Sequence, residues 1–256
     1  MPETRPKRFF IAAVVFFIVI LAGSSAFALV TVEGRYWFTS LDAKAKVSSG
    51  SILGTDIDLV NTLGVDDKNN FFDGRIGFNL GSHKIRYGFI PMKWDGTKVI
   101  SQSVVFNGRT YSASTSVESR LKIDYHRLGY EYDIIDALNN RLGVIFEIKY
   151  FDTQSSLKAP ALGFDETKSL KAPVPTIGIA AQVGLPLLIS LGGEVTGVTV
   201  GNKAYLLDGE AGLNIKPAPF ITVSAGYRYF KLHLENNNDK GDFLLRGPFV
   251  MLRGNF

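Results

Sequence analysis

The sequence predicts an all-β protein, a transmembrane antiparallel up-and-down β-barrel with ten strands, or with eight as the alternative. Ten short stretches alternate apolar and polar residues with a period of two, which places the two sets on opposite sides of a sheet. Short and long connections alternate between these stretches. After residue 28, no apolar segment has the length of a spanning helix, so membrane insertion requires a closed barrel.

Residues 1–28 have the pattern of a secretory signal. Arg5, Lys7 and Arg8 form a basic start, and Ala26-Phe27-Ala28 matches the small-residue pattern of a cleavage site. The apolar run 9–22 is shorter than the roughly 20 residues of a spanning helix, which favours a removed signal over a retained anchor. We therefore expect an exported protein whose mature form, residues 29–256, is one barrel domain.

Composition excludes several function classes. The chain has 28 Lys and Arg against 24 Asp and Glu, and part of that excess lies in the signal segment. No stretch carries the clustered basic residues that phosphate binding requires, so we expect no nucleic-acid partner. The chain has no cysteine, which excludes a disulfide scaffold and thiolate chemistry.

The strands are predicted at 30–39, 71–80, 83–94, 118–134, 141–152, 174–185, 187–200, 203–215, 219–234 and 243–256. Short connections fall at 81–82, 135–140, 186 and 216–218, and the others at 40–70, 95–117, 153–173, 201–202 and 235–242. Tight turns at one end and longer loops at the other are typical of a membrane barrel. An even number of strands places both termini at the short-turn end. The tight join at 201–202 is the exception, and it leaves the eight-strand alternative open.

The two faces of the predicted strands differ sharply. One face is apolar, with Tyr and Phe near the strand ends, where aromatic rings sit at membrane interfaces. The other face carries eight basic and eight acidic residues, predicted to form a lumen charge network: Glu33, Arg35, Asp73, Arg75, Lys84, Arg86, Arg127, Glu131, Asp133, Glu147, Lys149, Glu194, Asp208, Glu210, Arg228 and Arg253. In a soluble barrel these charges would form the solvated exterior. The signal segment, the aromatic strand ends and the terminal Phe256 together favour the membrane alternative.

The last strand resembles the C-terminal sorting signature of bacterial outer-membrane β-barrels. It ends on Phe256, with Val250, Leu252 and Gly254 at alternating positions before it. The segment 226–229, Gly-Tyr-Arg-Tyr, is similar to a motif of small barrels of the OmpA, OmpX and OmpW type. This resemblance implies the outer membrane of a Gram-negative-type bacterium, surrounding lipid, and insertion machinery that recognises Phe256 as a sorting signal. It implies no catalytic residue.

The external loops offer separate candidates. Residues 55–64 are predicted to form a short helix, with Thr55 and Asp58 as a capping box and Gly64 at its end. Acidic residues occur in this loop and in the last one, but neither stretch has the spacing of a calcium-binding loop. We expect no metal and no cofactor. Loops 40–70 and 95–117 are candidate surfaces for an unidentified partner.

Catalysis is the least favoured function. His126 lies near Asp124 and Ser119, the residue types of a nucleophile–base set, but Ser119 falls on the other face unless a bulge intervenes. His83 follows a short turn at the opposite end, and His233 lies at another rim. We therefore expect a non-enzymatic, structural or surface-interacting barrel. The alternatives are a narrow porin-like channel for ions or small polar solutes and, third, a lipid or peptide hydrolase at the rim.

A barrel of about ten strands is near the size that side chains can fill. Sixteen charges of balanced sign are therefore expected to block the lumen with ion pairs and trapped water. In the channel alternative the same charges would act as selectivity elements.

Overall fold

The computed structural model describes residues 29–137, 139–201, 203–236 and 238–256, the side chain of residue 236 excepted. The predicted signal, 1–28, lies outside the described residues. Thirteen strands are described, and they run as follows: β1 Val30–Lys46, β2 Ile57–Asp58, β3 Lys68–Leu80, β4 His83–Val99, β5 Val104–Phe106, β6 Arg109–Tyr111, β7 Ser116–Ala137, β8 Asn140–Ala159, β9 Phe164–Gly184, β10 Ile189–Val200, β11 Ala204–Ala218, β12 Ile221–Asn236 and β13 Asp239–Asn255. One short 3₁₀ turn, Pro160–Leu162, joins β8 to β9.

Ten of these strands form a closed antiparallel barrel, which confirms the predicted fold and strand number. Each long strand pairs with its neighbours in chain order, and β13 pairs with β1 to close the ring. Val30 and Phe256 exchange two backbone hydrogen bonds of 2.9 and 2.8 Å at the seam. Strand β10 pairs with β9 and β11, and β11 pairs with β12, so both belong to the ring and the eight-strand alternative is wrong.

The external connections are shorter than predicted because the strands continue into them. Segment 153–173 was expected to be a loop, but it forms the upper part of β8 and β9, which stay paired as far as Ala159 and Phe164. Longer connections occur at 47–67, which contains β2, and at 100–115, which contains the β5–β6 hairpin. At the other end, Gly81 takes a positive φ in the tight turn between β3 and β4.

An apolar belt surrounds the short-turn half of the barrel. On β8 it runs from Leu142 to Tyr150, with exposed apolar side chains at alternate positions. At about 3.3 Å per residue and a tilt of about 40°, this stretch stands about 23 Å tall, close to the belt of an outer-membrane barrel. Among the described residues, no helix is long and apolar enough to cross a membrane.

Above the belt the outer surface becomes polar. On β7 the outward side chains beyond His126 are Asp124, Lys122, Arg120 and Glu118. By the same geometry, the ten residues beyond His126, as far as Ser116, rise about 25 Å further. The barrel therefore continues well past the membrane surface as an external extension.

The predicted helix at 55–64 is wrong. Ile57 and Asp58 form a short strand on β1 instead, and a single turn follows, with hydrogen bonds from Thr62 N to Asp58 O and from Gly64 N to Val60 O. The Asp58 carboxylate bonds Asn61 rather than capping a helix. Gly64 does adopt the left-handed φ expected at such an end.

No bulge occurs between Tyr125 and Leu128. β7 pairs with β8 in continuous register from Glu118 to Asp133, and the register shift lies beyond Asp133. The apolar residues of β7 change faces between Tyr125 and Leu128 for another reason. The inner face of β7 is charged at Arg127 and apolar at Tyr125, while the outer face changes in the opposite sense.

Candidate functional site

All sixteen charged residues of the predicted lumen network lie inside the barrel, and each makes at least one ion pair with another member. The network draws on every barrel strand except β9, whose inward residues here are Thr176, Gly178 and Ala180. Nearly all of these side chains are buried, and Arg253, at the short-turn rim, is the most exposed. Since an unpaired buried charge is very costly, this mutual pairing is what lets the barrel hold them.

Arg228 is the centre of the upper part of the network. It is fully buried and donates two parallel hydrogen bonds of 3.0 Å to Asp208 and one of 2.9 Å to Asp73. Arg35 joins the same group through Asp73 and through two 2.6 Å bonds to Glu210. Two planar forks, each matched to a carboxylate, fix the relative positions of β1, β3, β11 and β12.

Glu194 is the centre of the lower part. Its carboxylate receives Arg75 at 3.2 Å, Arg86 at 2.6 Å and Arg127 at 2.9 Å. Arg86 continues to Glu131 at 3.3 Å. One carboxylate on β10 thus holds arginines from β3, β4 and β7, which lie on the opposite wall of the barrel.

Arg141 also belongs to this cluster, although it is not among the sixteen predicted residues. Its guanidinium lies 3.1 Å from Glu131. Lys84 pairs with both Glu131 and Asp133. The inward parity of Arg141, two residues before Gly143 and six before Glu147, is the signal that would have found it.

A second layer, which is apolar, fills the external half of the barrel. We call it the apolar layer, and its barrel-strand members include Trp37, Leu41, Phe71, Ile90, Met92, Trp94, Leu121, Ile123, Tyr125, Phe151, Leu206, Phe230, Leu245 and Phe249. Aromatic rings contact one another across the barrel. Tyr125 stacks on Phe151 with the ring centres 4.7 Å apart, and the ring centre of Phe230 lies 5.6 Å from that of Tyr125. This layer is absent from the residues predicted from sequence, although the inward parity of Arg86, extended to Ile90, Met92 and Trp94, indicates it.

The external loops close the apolar layer from above. Ile57, Leu63 and Val65 of segment 47–67 are buried in it, as are Val104 and Tyr111 of the β5–β6 hairpin. The Tyr111 hydroxyl donates a 2.8 Å hydrogen bond to the carbonyl of Leu157, and burial raises the pKa of Tyr111 to about 12. These two candidate partner loops therefore seal the mouth with part of their own surface.

An open space lies at the lower side of the network. A polar cavity of about 350 Å³ is lined by Arg75, Lys84, Arg86, Arg141 and Glu194, among others. It lies at the short-turn end, where Asn139 and Lys216 also line it. The cavity is thus a vestibule below the charge network and the apolar layer.

Two solved structures match the chain over nearly its whole length. The outer membrane protease OmpT from Escherichia coli aligns with a TM-score of 0.56 at 11% identity, over 91% of this chain and 99% of that one. The translocator domain of the autotransporter NalP from Neisseria meningitidis aligns with a TM-score of 0.50 at 12% identity, over 97% and 98%. No family model and no curated protein matches the sequence.

The chain is an outer-membrane-type β-barrel. At this level of identity the comparison establishes the fold alone. The two matched proteins are a protease and the translocator domain of an autotransporter, so the same fold serves different activities.

The three histidines of this outer-membrane barrel all lie on its outer face. His83 and Tyr130 share a 2.7 Å hydrogen bond beside the β3–β4 turn, and His126 shares one of 2.8 Å with Tyr87 while stacking on Phe89. His233 contacts Asp242 at 2.5 Å. The first two sit among aromatic side chains at the lower and upper edges of the apolar belt.

The residues of the hydrolase hypothesis are not brought together. Ser119 points inward, where its hydroxyl donates to the carbonyls of Leu63 and Gly96. Asp124 points outward and pairs with Lys122 at 2.8 Å. The barrel wall thus separates Ser119 from His126.

Proposed function

We propose that this protein is a closed, non-conducting outer-membrane barrel that anchors a rigid external extension for contact with other surfaces. The observation that carries the proposal is the pair of layers that fill the interior above the vestibule, ion pairs in the membrane half and packed rings beyond them. A path for ions would require both layers to open. The strand-built extension, in contrast, is held firmly above the membrane.

Conductance across a planar bilayer tests the first half of this proposal. The full chain, refolded and shown by circular dichroism to be rich in strand, is expected to give no discrete current steps. A deletion variant that lacks residues 101–114, and with them the β5–β6 hairpin over the mouth, is the matched comparison. Steady steps from the unmodified protein would contradict the proposal.

The narrow channel is the second candidate, and the vestibule is the observation that favours it. Its polar lining, which includes Arg75 and Glu194, would select among small ions if the layers above it opened. In that case neutralising Arg75 or Glu147 changes the ion selectivity of the current steps. If the barrel is closed, the same variants change stability and leave the bilayer silent.

We also propose that the protein is not an enzyme. The separation of Ser119 from His126 by the barrel wall supports this, as does the engagement of His126 by Tyr87 and Phe89. A panel of peptide and phospholipid substrates is expected to show no hydrolysis above the buffer rate. Turnover that disappears in the His126→Ala variant would contradict the proposal.

The resemblance of the last strand supports a proposed export route. Phe256 is exposed on the outer face at the seam and is held there by backbone bonds to Val30. We expect insertion machinery to recognise this strand before the seam closes, with membrane lipid as the final surroundings. A Phe256→Asp variant should accumulate before insertion, and normal insertion of that variant would contradict the assignment.

A further inference from the structure

The external extension has a long sheet edge with no paired strand. β9 pairs with β8 along its whole length, but its ladder with β10 ends at the pair Ile177–Gly197. Pro175 and Pro173 follow immediately, and proline has no N–H with which to continue a ladder. No strand of the described residues pairs with this side of residues 164–176.

This edge lies outside the membrane. Pro173 pairs with Tyr150 on β8, and Tyr150 pairs with His126 on β7 at the end of the apolar belt. The residues of β9 beyond it carry polar outward side chains, including Lys171 and Asp165. We call residues 164–171 the free edge.

The barrel does protect its other comparable edge. β3 and β4 separate above the pair Gly74–Phe89, and segment 47–67 covers that opening through a bridge between Val65 and Gly96. Because unpaired edges invite strand addition, folds normally cover them in this way. The free edge has no such cover among the described residues, and its inward-facing Leu170 is 49% exposed.

The free edge is complementary to itself. In antiparallel pairing about Thr167, Glu166 lies opposite Lys168 of a second copy, and Lys168 lies opposite the second copy's Glu166. Phe164 and Leu170 form two apolar pairs in the same register. Opposite charges and apolar pairs directly across an antiparallel ladder are stabilising.

Neighbouring symmetric registers lack this match. A two-fold axis perpendicular to the sheet pairs residues of the same face, so the symmetric centre must fall on a residue. Centring on Lys168 sets two lysines opposite each other, and centring on Glu166 sets two glutamates opposite each other. Like charges in that position are destabilising.

We propose that the free edge of β9 is a homophilic contact site, at which two copies add strand to strand about Thr167. This rests on the proposed function as an external contact surface and names the partner as a second copy. The two-fold axis is perpendicular to a sheet that stands upright on the membrane, so it inverts the second copy. The two barrels therefore lie in facing membranes, and the contact joins two cells or vesicles.

Glu166 and Lys168 can still form ion pairs with a second copy. Glu166 accepts hydrogen bonds of 3.0 Å from Arg109 and 3.1 Å from Asn107, which still leaves acceptor sites on its carboxylate. Lys168 lies 4.0 Å from Asp239, and its side chain is 41% exposed. Both side chains are positioned by their own barrel before a second copy arrives.

Charge reversal gives the first test. The full chain is reconstituted in phosphatidylcholine vesicles, and vesicle clustering is followed by light scattering. Glu166→Lys and Lys168→Glu should each reduce clustering by about tenfold or more, because each creates like-charge pairs in the self-contact. Mixing vesicles of the two variants restores Glu–Lys pairs and should restore clustering.

Lys122→Glu is the matched control, since it reverses one exposed charge on the outer face of β7, away from the free edge, and should leave clustering unchanged. Circular dichroism confirms that each variant is folded. Absence of clustering by the unmodified protein, or failure of the mixed variants to recover it, would overturn the proposal. Neither result would bear on conductance, so failure here is distinguishable from failure of the closed-barrel proposal.

A single engineered cysteine tests the register. The chain has no cysteine, so Thr167→Cys introduces one thiol, which meets its copy across the two-fold axis. Directly opposed residues have Cα atoms about 4.5 to 5.5 Å apart, within the range for a disulfide. Oxidation should link chains from two differently labelled vesicle populations. Equal linking by the control Lys122→Cys, on the exposed face of β7, would overturn the register.

Discussion

The guanidinium carbon of Arg228 lies 4.8 Å from the centre of the Trp37 ring. Arg35 meets Phe249 in the same way at 4.5 Å. These contacts join the charge network to the apolar layer, because the face of an aromatic ring attracts a cation while its body packs with apolar neighbours. The interior therefore changes from charged to apolar over one layer of side chains.

Arg228→Met should strongly destabilise the barrel. The substitution leaves Asp208 with Lys149 and the hydroxyl of Tyr125, and it leaves Asp73 with Arg35. Breaking one partner of a buried ion pair costs about 3–5 kcal/mol. Urea unfolding in detergent measures the loss. Lys122→Ala, which breaks an exposed pair with Asp124, is the control and should cost less than about 1 kcal/mol. Equal effects of the two variants would refute the central position of Arg228.

Removing Asp208 together with Arg228 tests whether the cost comes from the stranded charge. The double variant Arg228→Met, Asp208→Asn should recover part of the stability that Arg228→Met loses, because one fewer carboxylate remains without its main partner. A double-mutant cycle gives the coupling energy. Strict additivity of the two losses would contradict the bidentate pairing seen at 3.0 Å.

Glu194→Gln should weaken the network without opening the barrel. The change leaves Arg75, Arg86 and Arg127 around a neutral side chain, and stability should fall by about 3 kcal/mol or more. No current steps are expected, since the apolar layer still blocks the path above. Discrete conductance in this variant would show that the charge network alone closes the lumen.

Trp37→Ala tests the apolar layer. The ring is 1% exposed and its Nε1 donates a 3.1 Å hydrogen bond to the carbonyl of Gly247. Truncating a buried Trp costs about 3–5 kcal/mol and leaves a cavity directly above Arg228. Thermal unfolding measures the loss, and the exposed Phe256→Ala is the comparison. A small loss for Trp37→Ala would mean that this layer contributes little to closure.

The stability of the β5–β6 hairpin, which covers the mouth of the barrel, should depend on pH through Tyr111. Its pKa is raised to about 12 by burial, so the neutral hydroxyl stabilises the closed lid fully below about pH 10, the ordinary value. That contribution is lost as the pH rises through about 12. Limited proteolysis of segment 100–115 should therefore accelerate over this window. Tyr111→Phe should remove the pH dependence and cost about 1 kcal/mol for the lost bond to Leu157.

The sequence by itself determined the barrel and the sidedness of its strands. Period-two alternation is a local property, so each residue from Glu33 to Arg253 in the charge network could be assigned to the inner face without knowing its partner. The number of strands followed from the turns, because a tight turn can join only adjacent antiparallel strands. The same local reasoning failed at 55–64, where an apolar stripe suited to a helix is instead buried under the mouth.

Only the tertiary structure decided what the two faces meet. Ion pairs such as Arg75–Glu194 join residues 119 positions apart, and pairing across the barrel depends on strand register and stagger that no local pattern encodes. The change of the inner face of β7 from the charged Arg127 to the apolar Tyr125 likewise depends on where the membrane ends. The free edge of β9 exists because β10 ends at Val200 while β9 continues to Phe164. Whether an edge is unpaired depends on the length of the neighbouring strand and not on the sequence of the strand that carries the edge.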